Sequence, residues 1–596
     1  MCYQYFNSMK QLTLLVICAL LLAGCQSNQS KNRADQDGTN YSERHIEFDR
    51  WGRTPDCCSA VGVRAAVASG GTHASKAGLD ILKLGGNIVD AAIATAFVLA
   101  VERPHSAGLG GGGFMTAYLS GQKPEAHFVD FRETAPEKAH RDMYLDKKGE
   151  VVPDLSVIGP LSVATPGFVS GLYAIHKKWG KIPWRRLVAP AVELAFRGFK
   201  VYPSLEKHVI EKKDCLERDL EASKLFFPDG KPIKSGQILI QKDLANTLRR
   251  IAQNGNQEFK TGKTAQQIIR YMKEHQGILS DKDLRNYKVK FRKPIEGSFK
   301  KFILVSSPPP SAGGVLILQG LKILERFPIE ELTRQTPQYL HLISEILKRG
   351  YANRSKLVGD PDFFKMDYSE LVSDSSIEAL SKTISLEKAT PSSEIKGTEF
   401  FEDKTHTTHL SVIDAEGNAV ASTLTINDSF GACVIVPGTG VFLNDEMDDF
   451  SAKPGAMNIY GLTGEKANEI APNKRPASSM SPTIVLREGR PILVVGAAGG
   501  SRITTSVFQV ILNSLFVFPG DLKKSVFAPR IHQQWKPDFL DLEKGQSESL
   551  KQSLESLGEK VRTAPWSAIT QAVQIESDGK VMAVFDPRDE GGAEAY

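Results

Sequence analysis

Residues 405–425 read THTTHLSVIDAEGNAVASTLT, and this stretch decides the fold. Its apolar and β-branched residues predict two strands, His409–Asp414 and Ala419–Thr425, separated by a short polar segment. The opening cluster Thr-His-Thr-Thr-His has three interpretations: a polar turn that begins a β-rich region, a zinc site, or an internal cleavage point that exposes a threonine.

A zinc site in this cluster would use His406 and His409. The pair lacks a third ligand at a recognisable spacing, and this spacing does not place both rings on one face of a strand. The zinc interpretation is therefore disfavoured.

An exposed N-terminal threonine would be chemically competent by itself. Its hydroxyl and its own α-amine lie within reach of each other, so the amine can accept the hydroxyl proton directly or through a water molecule. The alcohol then becomes nucleophilic without a histidine or an aspartate. This chemistry requires the threonine to be the first residue of its chain, so a precursor would have to cut itself.

Helix and strand patterns alternate outside this stretch. Further strands are predicted at Val63–Ser69, Phe114–Leu119, His127–Phe131, Pro482–Leu486 and Ile492–Gly496. Helices are predicted at His73–Leu84, after a cap at Asn87, and near Gly167–Trp179, Trp184–Phe196, Gln241–Asn254, Ala312–Leu324, Thr336–Arg354 and Arg502–Phe516. Residues 373–404 are polar and lose this periodicity, so they are the best candidate boundary in the chain.

Several long motifs occur in order along the chain. They are SAGLGGGGFM, DFRETAP, SVATPGFVSGL, TTHLSVIDAEGNAVASTLTINDSFG, LNDEMDDFSAKPG, NKRPASSMSPTIV, GAAGGSRI and DPRDEGGA. Together they resemble the gamma-glutamyltranspeptidases, a family of N-terminal nucleophile hydrolases, from about residue 60 to the C-terminus. The resemblance implies a mixed α/β (α+β) fold of four αββα layers, in which two stacked antiparallel sheets lie between helical layers.

The resemblance also implies how the precursor matures. By position, Thr407 is the nucleophile and His406–Thr407 is the scissile bond. The cut would produce a large subunit, residues 59–406, and a small catalytic subunit, residues 407–596, which stay together as a heterodimer.

Thr425 matches the family threonine that hydrogen-bonds the nucleophile, and Gly499-Gly500 match the pair whose backbone amides stabilise the oxyanion. The other glycine run, Gly110–Gly113, is less specific. A phosphate-binding loop would need a following GKS or GKT, which is missing here. We therefore expect a tight, closely packed turn near the site with no direct catalytic role.

A γ-glutamyl donor carries an α-carboxylate and an α-ammonium at the end remote from its scissile amide. In the family, the arginine of Asp-Phe-Arg-Glu binds the donor's α-carboxylate, and the resemblance assigns that role to Arg132. Ser478 and Ser479 match the family's serine pair, which also binds this carboxylate. Asp449 matches the acid that pairs with the ammonium. The remaining implied contacts are Asn427, Glu446 and Tyr460, the last of these in a lid formed by residues 450–473.

The implied activity is that of a self-processed γ-glutamyltransferase and glutathione hydrolase that needs no metal or organic cofactor. It would form a γ-glutamyl ester on the nucleophile and pass the group to water, amino acids or peptides. One alternative is a cephalosporin or glutaryl acylase of the same fold, but Asp449 and Asn427 favour a donor with an ammonium group. The other is a lipid-anchored binding protein that never matures, in which the catalytic residues would be idle.

The N-terminus is typical of an export signal. Residues 10–24, KQLTLLVICALLLAG, contain an apolar run that suits a signal peptide, and Leu-Ala-Gly before Cys25 resembles a bacterial lipobox. The resulting assignment is a lipoprotein signal peptide at 1–24 and a lipidated tether at 25–58, with Met9 a more typical start than Met1. The protein would lie on the periplasmic side, and its contact with a membrane would be through the lipid alone.

Composition excludes other classes of protein. Lys+Arg number 74 and Asp+Glu 69, so the net charge is only +5 over 596 residues, which argues against a nucleic-acid binder. The 7 cysteines are too few for a disulfide scaffold. An exported chain meets an oxidising compartment, but the sequence leaves open whether Cys57, Cys58, Cys215 or Cys433 form pairs.

Overall fold

The computed structural model describes residues 58–329, 336–365, 367–395, 407–453, 466–565 and 567–596. Predictions for the signal peptide, for Cys25 and Cys57 in the tether, for His406 and for Tyr460 lie outside the described residues. Within the described ranges, no helix combines the length and apolar character needed to cross a membrane.

The body of the chain contains many short elements. The strands are β1 (Ser59–Gly62), β2 (Ala65–Ser69), β3 (Gly112–Leu119), β4 (Glu125–Asp130), β5 (Phe199–Lys200), β6 (Ile238–Leu239), β7 (Lys290–Arg292), β8 (Ile295–Phe299), β9 (Phe302–Ser306), β10 (Thr408–Asp414), β11 (Ala419–Thr425), β12 (Ile435–Val436), β13 (Val441–Phe442), β14 (Thr483–Arg487), β15 (Arg490–Ala498), β16 (Ile531–His532), β17 (Leu540–Glu543), β18 (Val561–Ala564), β19 (Ile569–Ile575), β20 (Val581–Phe585) and β21 (Gly592–Ala595). The α-helices are α1 (Thr72–Lys83), α2 (Ile88–Glu102), α3 (Phe168–Trp179), α4 (Trp184–Arg197), α5 (Pro203–Glu211), α6 (Lys213–Leu216), α7 (Leu220–Phe226), α8 (Lys242–Asn254), α9 (Gln257–Lys260), α10 (Lys263–Glu274), α11 (Asp281–Asn286), α12 (Gly313–Leu324), α13 (Pro337–Leu357), α14 (Asp374–Ser381), α15 (Arg502–Leu512), α16 (Leu522–Phe527) and α17 (Glu548–Ser556).

Two 7-stranded antiparallel sheets form the centre of the fold. Sheet I has the order β1–β20–β19–β15–β14–β9–β8, and sheet II has the order β21–β2–β10–β11–β3–β4–β7. Small apolar side chains of sheet II, such as Ala68 and Ala421, pack with Ile484 and Val494 of sheet I in one buried cluster. The two sheets are therefore stacked face to face.

Helices cover the outer faces of both sheets. Helices α1 to α3 pack on sheet II, and α12, α15 and α16 pack on sheet I, which confirms the predicted αββα order. Every residue of α2 is buried, because its alanine-rich sequence allows close approach to the sheet. Asn87 begins this helix with the predicted cap: its side chain accepts from the Asp90 backbone N–H at 2.9 Å, and the Asp90 carboxylate accepts from the Asn87 N–H at 3.1 Å.

The polar segment 373–404 does not separate two folding units. In sheet II, β10 and β11, which follow the segment, lie side by side between β2 and β3, which precede it. Its described part is also packed: Ile377 on α14 is fully buried, and the Ser392 hydroxyl donates to Asp538 at 2.6 Å. The described part of this segment is therefore a largely exposed connection that includes the short helix α14, and a few buried residues and hydrogen bonds fix it to the rest of the protein.

Most predicted elements are confirmed to within a few residues. The strand predicted at Ile492–Gly496 is longer than expected and covers Arg490–Ala498. The helix predicted at Arg502–Phe516 is α-helical only through Leu512, and it ends in a π-helical turn, Asn513–Val517. The apolar period continues through both types of turn, so the pattern alone does not distinguish them.

Candidate active site

Thr407 directly precedes β10 and lies beside Thr425, the last residue of β11. Thr408 pairs with Leu424, so one further step of the antiparallel register brings the two threonines together. Both line one cavity, in which Thr407 is only 7% exposed. The Thr425 hydroxyl accepts a hydrogen bond from the backbone N–H of Asn427 at 2.8 Å, which fixes its position.

Gly499 and Gly500 connect β15 to the first turn of α15. Their φ angles are +144° and +53°, which side chains rarely tolerate. A Cβ on Gly499 would also lie 2.7 Å from the Cβ of Ala568. Gly500, just before α15, lines the same cavity as Thr407, whereas Gly499 is not among the lining residues.

The cavity gathers nearly all of the described residues that the sequence assigned to substrate binding. Besides Thr407, Thr425 and Gly500, its lining includes Arg132, Asn427, Glu446, Asp449, Ser478 and Ser479. We call it the first cavity. Its lining is rich in charged and hydroxyl groups, which suits a small zwitterionic ligand better than an apolar one.

Arg132 is fully buried and contacts the acids of the first cavity directly. Its Nη1 donates to the carboxylate of Glu446, and its Nη2 donates to the carboxylate of Asp449 and, at 3.0 Å, to the carbonyl of Ala477. Burial opposes the charge of the guanidinium, but Glu446 and Asp449 outweigh this effect and hold the pKa of Arg132 above its usual range. Arg132 is therefore a permanent cation that already has carboxylate partners.

More carboxylate surrounds Arg132 than one guanidinium can neutralise. Burial raises the pKa of Glu133 to about 8, although Arg132 opposes the shift. Burial likewise raises the pKa of Glu446 well above its usual range. Neither oxygen of Glu133 has a hydrogen-bond partner among the described residues. A surplus of buried acid of this kind favours the arrival of a second cation.

A second arginine, Arg354 on α13, also lines the first cavity. Its Nη2 donates to the hydroxyl of Ser479 at 3.3 Å, and its Nε has no hydrogen-bond partner among the described residues. Sequence reasoning missed Arg354. It belongs to a predicted amphipathic helix, and the helical pattern does not distinguish it from an ordinary surface arginine.

Two asparagines hold the loop that carries the acids. Asn427 adopts a left-handed backbone conformation, φ +74°, and its Nδ2 donates to the carbonyl of Asp445 at 3.1 Å. Asn444 Nδ2 donates to the carbonyl of Gly110 at 2.7 Å. A Cβ at Gly110 would lie 2.0 Å from the carbonyl oxygen of Phe442, so the predicted close packing of this glycine run is confirmed. The run connects to β3 and supports the site from behind.

His409 is a buried neutral histidine of the core. Its Nδ1 lies 2.8 Å from the hydroxyl of Thr423, and its Nε2 lies 3.1 Å from that of Ser411. Burial lowers the pKa of His409 to about 3. Both ring nitrogens are engaged with hydroxyls, as expected if the zinc interpretation is incorrect.

Among the described residues, one other group of metal-ligand types comes together: His341, Glu345 and Glu559. The ammonium of Lys348 lies 2.9 Å from Glu345 and 3.8 Å from Glu559. Because Lys348 already supplies the positive charge, this cluster is a buried ion-pair network that joins α13 to the segment before β18.

The structure pairs Cys215 with Cys433, an outcome that the sequence left open. Their Cα atoms are 5.9 Å apart, and 218 residues separate them in the chain. An ion pair between Lys212 and Asp428 links the same two regions. The loop that follows β11, where Asn427 enters the cavity, is thus clamped to the α5–α6 region by one covalent and one ionic contact.

The family model described as Gamma-glutamyltranspeptidase matches residues 74–596. The Glutathione hydrolase proenzyme of Escherichia coli (strain K12) is 41% identical over 524 residues, which cover 88% of this chain and 90% of that protein.

Solved structures agree with this match. The gamma-glutamyltranspeptidase of Helicobacter pylori is 36% identical, with a TM-score of 0.53, over 55% of this chain and 93% of that chain. The cephalosporin acylase from Bacillus halodurans has a TM-score of 0.79 at 25% identity, over 96% of this chain and 98% of that chain. The overall fold is therefore shared with enzymes of both kinds.

Proposed function

The chain belongs to the gamma-glutamyltranspeptidase family, and on that premise we propose which residues carry out each step. The protein is a γ-glutamyltransferase and glutathione hydrolase. One observation supports the residue assignments above all others: Thr407, directly before β10, lines the same cavity as Arg132. The carboxylates of Glu446 and Asp449 and the hydroxyls of Ser478 and Ser479 line this cavity too.

Maturation is the first proposed step. The Thr407 hydroxyl attacks the carbonyl carbon of His406, the C–N bond breaks, and the Thr407 nitrogen becomes a free amine. Water then opens the resulting ester. The products are the large subunit, residues 59–406, and the small subunit, residues 407–596, which remain a heterodimer because both contribute strands to the same sheets.

Transfer follows the same chemistry with an external substrate. The Thr407 hydroxyl attacks the γ-carbonyl of the donor while the new α-amine accepts its proton. The backbone amides of Gly499 and Gly500 stabilise the oxyanion, and Thr425 orients the hydroxyl. The amine then protonates the leaving nitrogen, which departs and leaves a γ-glutamyl ester. Water or the amine of an amino acid or peptide finally takes the γ-glutamyl group from Thr407.

Donor recognition is an exchange of ion pairs. Arg132 contacts Glu446 and Asp449 directly. A γ-glutamyl group brings one carboxylate and one ammonium to the same place. The carboxylate would bind Arg132 with Ser478 and Ser479, and Arg354 extends this cationic side. The ammonium would bind the released acids, with Asn427 supporting them.

This exchange favours a glutamyl donor over a glutaryl one. A glutaryl amide supplies the carboxylate but no ammonium, so it would leave Asp449 and Glu446 without a replacement for Arg132. An uncompensated buried carboxylate is costly. The surplus of acid around Arg132 thus disfavours the acylase alternative, although the acylase fold is closely similar.

Export and anchoring complete the proposal. We infer a signal peptide at residues 1–24 and a lipidated Cys25 that holds the enzyme on the periplasmic side of a membrane. Residues 450–473 would form a lid with Tyr460 over the donor. The chemistry calls for no metal or organic cofactor, because every proton and charge in the cycle is handled by Thr407 and the cavity.

The decisive experiment combines a gel with an activity assay. The mature wild type should give two bands on a reducing denaturing gel and one on a non-reducing gel, because the cleavage would place Cys215 and Cys433 on different chains. Thr407→Ala should give one band on both and no release of glutamate from glutathione. Thr407→Ser, the matched control, keeps a hydroxyl and should still cut slowly. Cleavage of Thr407→Ala at the same bond would show that another group performs it.

A further inference from the structure

An open groove lies on the outer surface between α4 and α8. Each helix contributes residues at the spacing of one helical face, namely Arg185, Ala189, Val192 and Phe196 on α4, and Arg249 and Gln253 on α8. Helix α4 packs on α2, so the groove belongs to the helical layer that covers sheet II. None of its described lining residues also lines the first cavity, so the proposed donor site does not account for it.

The end of α4 carries an exposed apolar patch at this groove. Phe196 is 52% exposed, and Ile238 and Ile240, from β6 and the residue after it, are 50% and 41% exposed. The two isoleucines lie beside the end of α4, because a Cβ on Gly198 would be 2.7 Å from a side-chain carbon of each. A single exposed apolar side chain is ordinary, but three on one surface are typical of a docking site.

Three arginines, Arg185, Arg197 and Arg249, line the groove beside this patch. The guanidinium carbon of Arg249 lies 4.8 Å from the centre of the Phe196 ring, so this cation rests on the aromatic face. Among the described lining residues Glu193 is the only acid, and it pairs with Arg197 at 2.8 Å. Three arginines and one glutamate leave the lining with a net charge of +2.

Two exposed lysines extend the positive charge past the groove. Lys200 on β5 is the cross-strand partner of Ile238 on β6. Lys242 begins α8, and its separation from Arg249 by two helical turns places both on one face; Asp243 offsets part of its charge. We call the three arginines, the two lysines and the three apolar side chains the basic–apolar face. Such a composition suits a membrane interface, where phosphates neutralise the cations and the acyl boundary receives the apolar groups.

We propose that the basic–apolar face docks on the anionic phospholipid surface of the membrane that holds the protein. This rests on the inferred lipid anchor, and it adds a contact to the one through the lipid. The chain spans 33 residues from Cys25 to Cys58, a covalent reach of at most about 120 Å. A tether of that length does not fix which side of the body faces the bilayer, so a fixed orientation needs a contact on the body itself. A lipid chain and a basic patch together anchor more stably than either one.

A second copy of the chain suits this face poorly. In a two-fold symmetric dimer the same surface meets itself, so the three arginines of one copy would face those of the other. Like charges brought together at an interface repel. A bilayer that contains anionic lipid supplies the opposite charge and an apolar boundary in one surface, so it satisfies both parts of the face.

The test places the lipidated enzyme on vesicles of phosphatidylcholine, either alone or mixed with phosphatidylglycerol. The measurement is hydrogen exchange of the backbone amides in residues 196–200 and 237–241. These amides should exchange about tenfold more slowly on the mixed vesicles, because docking on the anionic surface removes them from water. Salt at about 1 M, which shortens the range of the attraction to about 3 Å, should reverse most of this slowing.

Two variants divide the face into its charged and apolar parts. The combined change Arg185→Gln, Arg197→Gln and Arg249→Gln should abolish the slowing on the mixed vesicles, because each arginine contributes to the attraction. The combined change Phe196→Ser, Ile238→Ser and Ile240→Ser should remove most of it, because the apolar groups hold the face in the interface. Both variants should hydrolyse glutathione at the wild-type rate, which reports that they are folded.

The matched control removes the same charge from the sheet I side of the molecule. It combines Lys382→Gln, Lys524→Gln and Lys580→Gln, three exposed lysines that each pair with an acid, at α14, at α16 and beside β20. This control should keep the slowing of the wild type.

Equal exchange on both kinds of vesicle in the wild type would overturn the proposal. A control variant that loses the slowing to the same extent would also overturn it, since the effect would then be one of overall charge. Slowing of the same amides without vesicles, as the protein concentration rises, would assign the face to a second copy instead. Failure of the lipid anchor gives a different result: the enzyme would not float with phosphatidylcholine vesicles, yet it would still bind the mixed ones.

Discussion

Arg132 and Arg475 are two buried arginines that approach the same carboxylate, Asp130, yet their surroundings differ. The Nε of Arg475 donates to Asp130 at 3.1 Å, and its Nη2 donates to the carbonyl of Lys288 at 2.8 Å. Arg132 contacts Asp130 only through its backbone N–H, at 3.0 Å. Its guanidinium instead contacts the acids that line the first cavity.

This difference shows which feature identifies a binding residue. Nearby carboxylates raise the pKa of both arginines above the usual range in spite of burial, so burial and pairing do not separate them. What separates them is the cavity: a ligand can replace the partners of Arg132, whereas the partners of Arg475 belong to the framework. Each experiment below tests that distinction.

The largest expected difference is between Arg132→Lys and Arg475→Lys. Arg132→Lys keeps the charge but loses the forked geometry, so kcat/KM for γ-glutamyl donors should fall about 30- to 1000-fold, or about 2–4 kcal/mol. Maturation should be complete on a reducing gel. Arg475→Lys should lower Tm by several degrees and keep kcat/KM within about threefold of the wild type. A large loss of activity in Arg475→Lys at unchanged Tm would remove the distinction.

Asp449→Asn tests the acid side of the exchange. The donor ammonium would lose its counter-charge, whereas a glutaryl amide would lose nothing, since a neutral amide is cheaper to bury than a carboxylate. The ratio of kcat/KM for glutamyl over glutaryl amides with the same leaving group should fall by about two orders of magnitude, equivalent to about 3 kcal/mol. Equal slowing of both substrates would make Asp449 a framework residue like Asp130.

Arg354→Gln asks whether the cationic side of the first cavity extends beyond Arg132. The donor KM should rise about tenfold, because one charged contact with the carboxylate is lost. Since Arg354 donates to Ser479, a double-mutant cycle with Ser479→Ala should show coupling of about 1 kcal/mol. Strictly additive effects of the two substitutions would show that Arg354 and Ser479 act on the donor independently of each other.

The smallest expected effect concerns Glu133, one of the buried acids around Arg132. Because burial raises the folded-state pKa of Glu133 to about 8, above its unfolded value of about 4.5, the folded protein binds more protons than the unfolded one between these values. The contribution of Glu133 to stability should therefore fall as pH rises from about 4.5 to 8. Glu133→Gln should raise Tm relative to the wild type by a few degrees more at pH 8 than at pH 5. If the Tm difference between Glu133→Gln and the wild type were the same at both pH values, the raised pKa of Glu133 would be contradicted.

The residues that we propose for catalysis and donor binding were accessible from sequence because each belongs to a contiguous motif. Thr407 lies in Thr-Thr-His, Arg132 in Asp-Phe-Arg-Glu, and Asp449 in the acidic run 445–449. The two strands that begin at residues 408 and 419 were also accessible, since a short run of apolar and β-branched residues is a local signal. A motif did not reveal the environment of each of its members: Glu133 belongs to the same Asp-Phe-Arg-Glu motif as Arg132, but only its burial in the structure reveals its raised pKa.

Residues outside any motif escaped sequence reasoning altogether. Arg354 lies on an amphipathic helix, and its position has no distinctive local pattern. The polar segment 373–404 was the best candidate boundary in the sequence, but strands from before and after it share one sheet. Low periodicity is typical of a linker, yet side-chain hydrogen bonds such as that of Ser392 to Asp538 fix the described part of this segment to the rest of the protein.

The sequence by itself determined the types of element and the motifs from which we propose the nucleophile and the donor pocket, because periodicity and short motifs are properties of neighbouring residues. Tertiary structure decided the rest: the pairing of Cys215 with Cys433, the contact of Arg132 with acids more than 300 positions away, and the cavity that Thr407 shares with Arg132. These depend on the order and register of strands in the two sheets. Neither is encoded in any local stretch, because both are set only when distant segments bury their faces against one another.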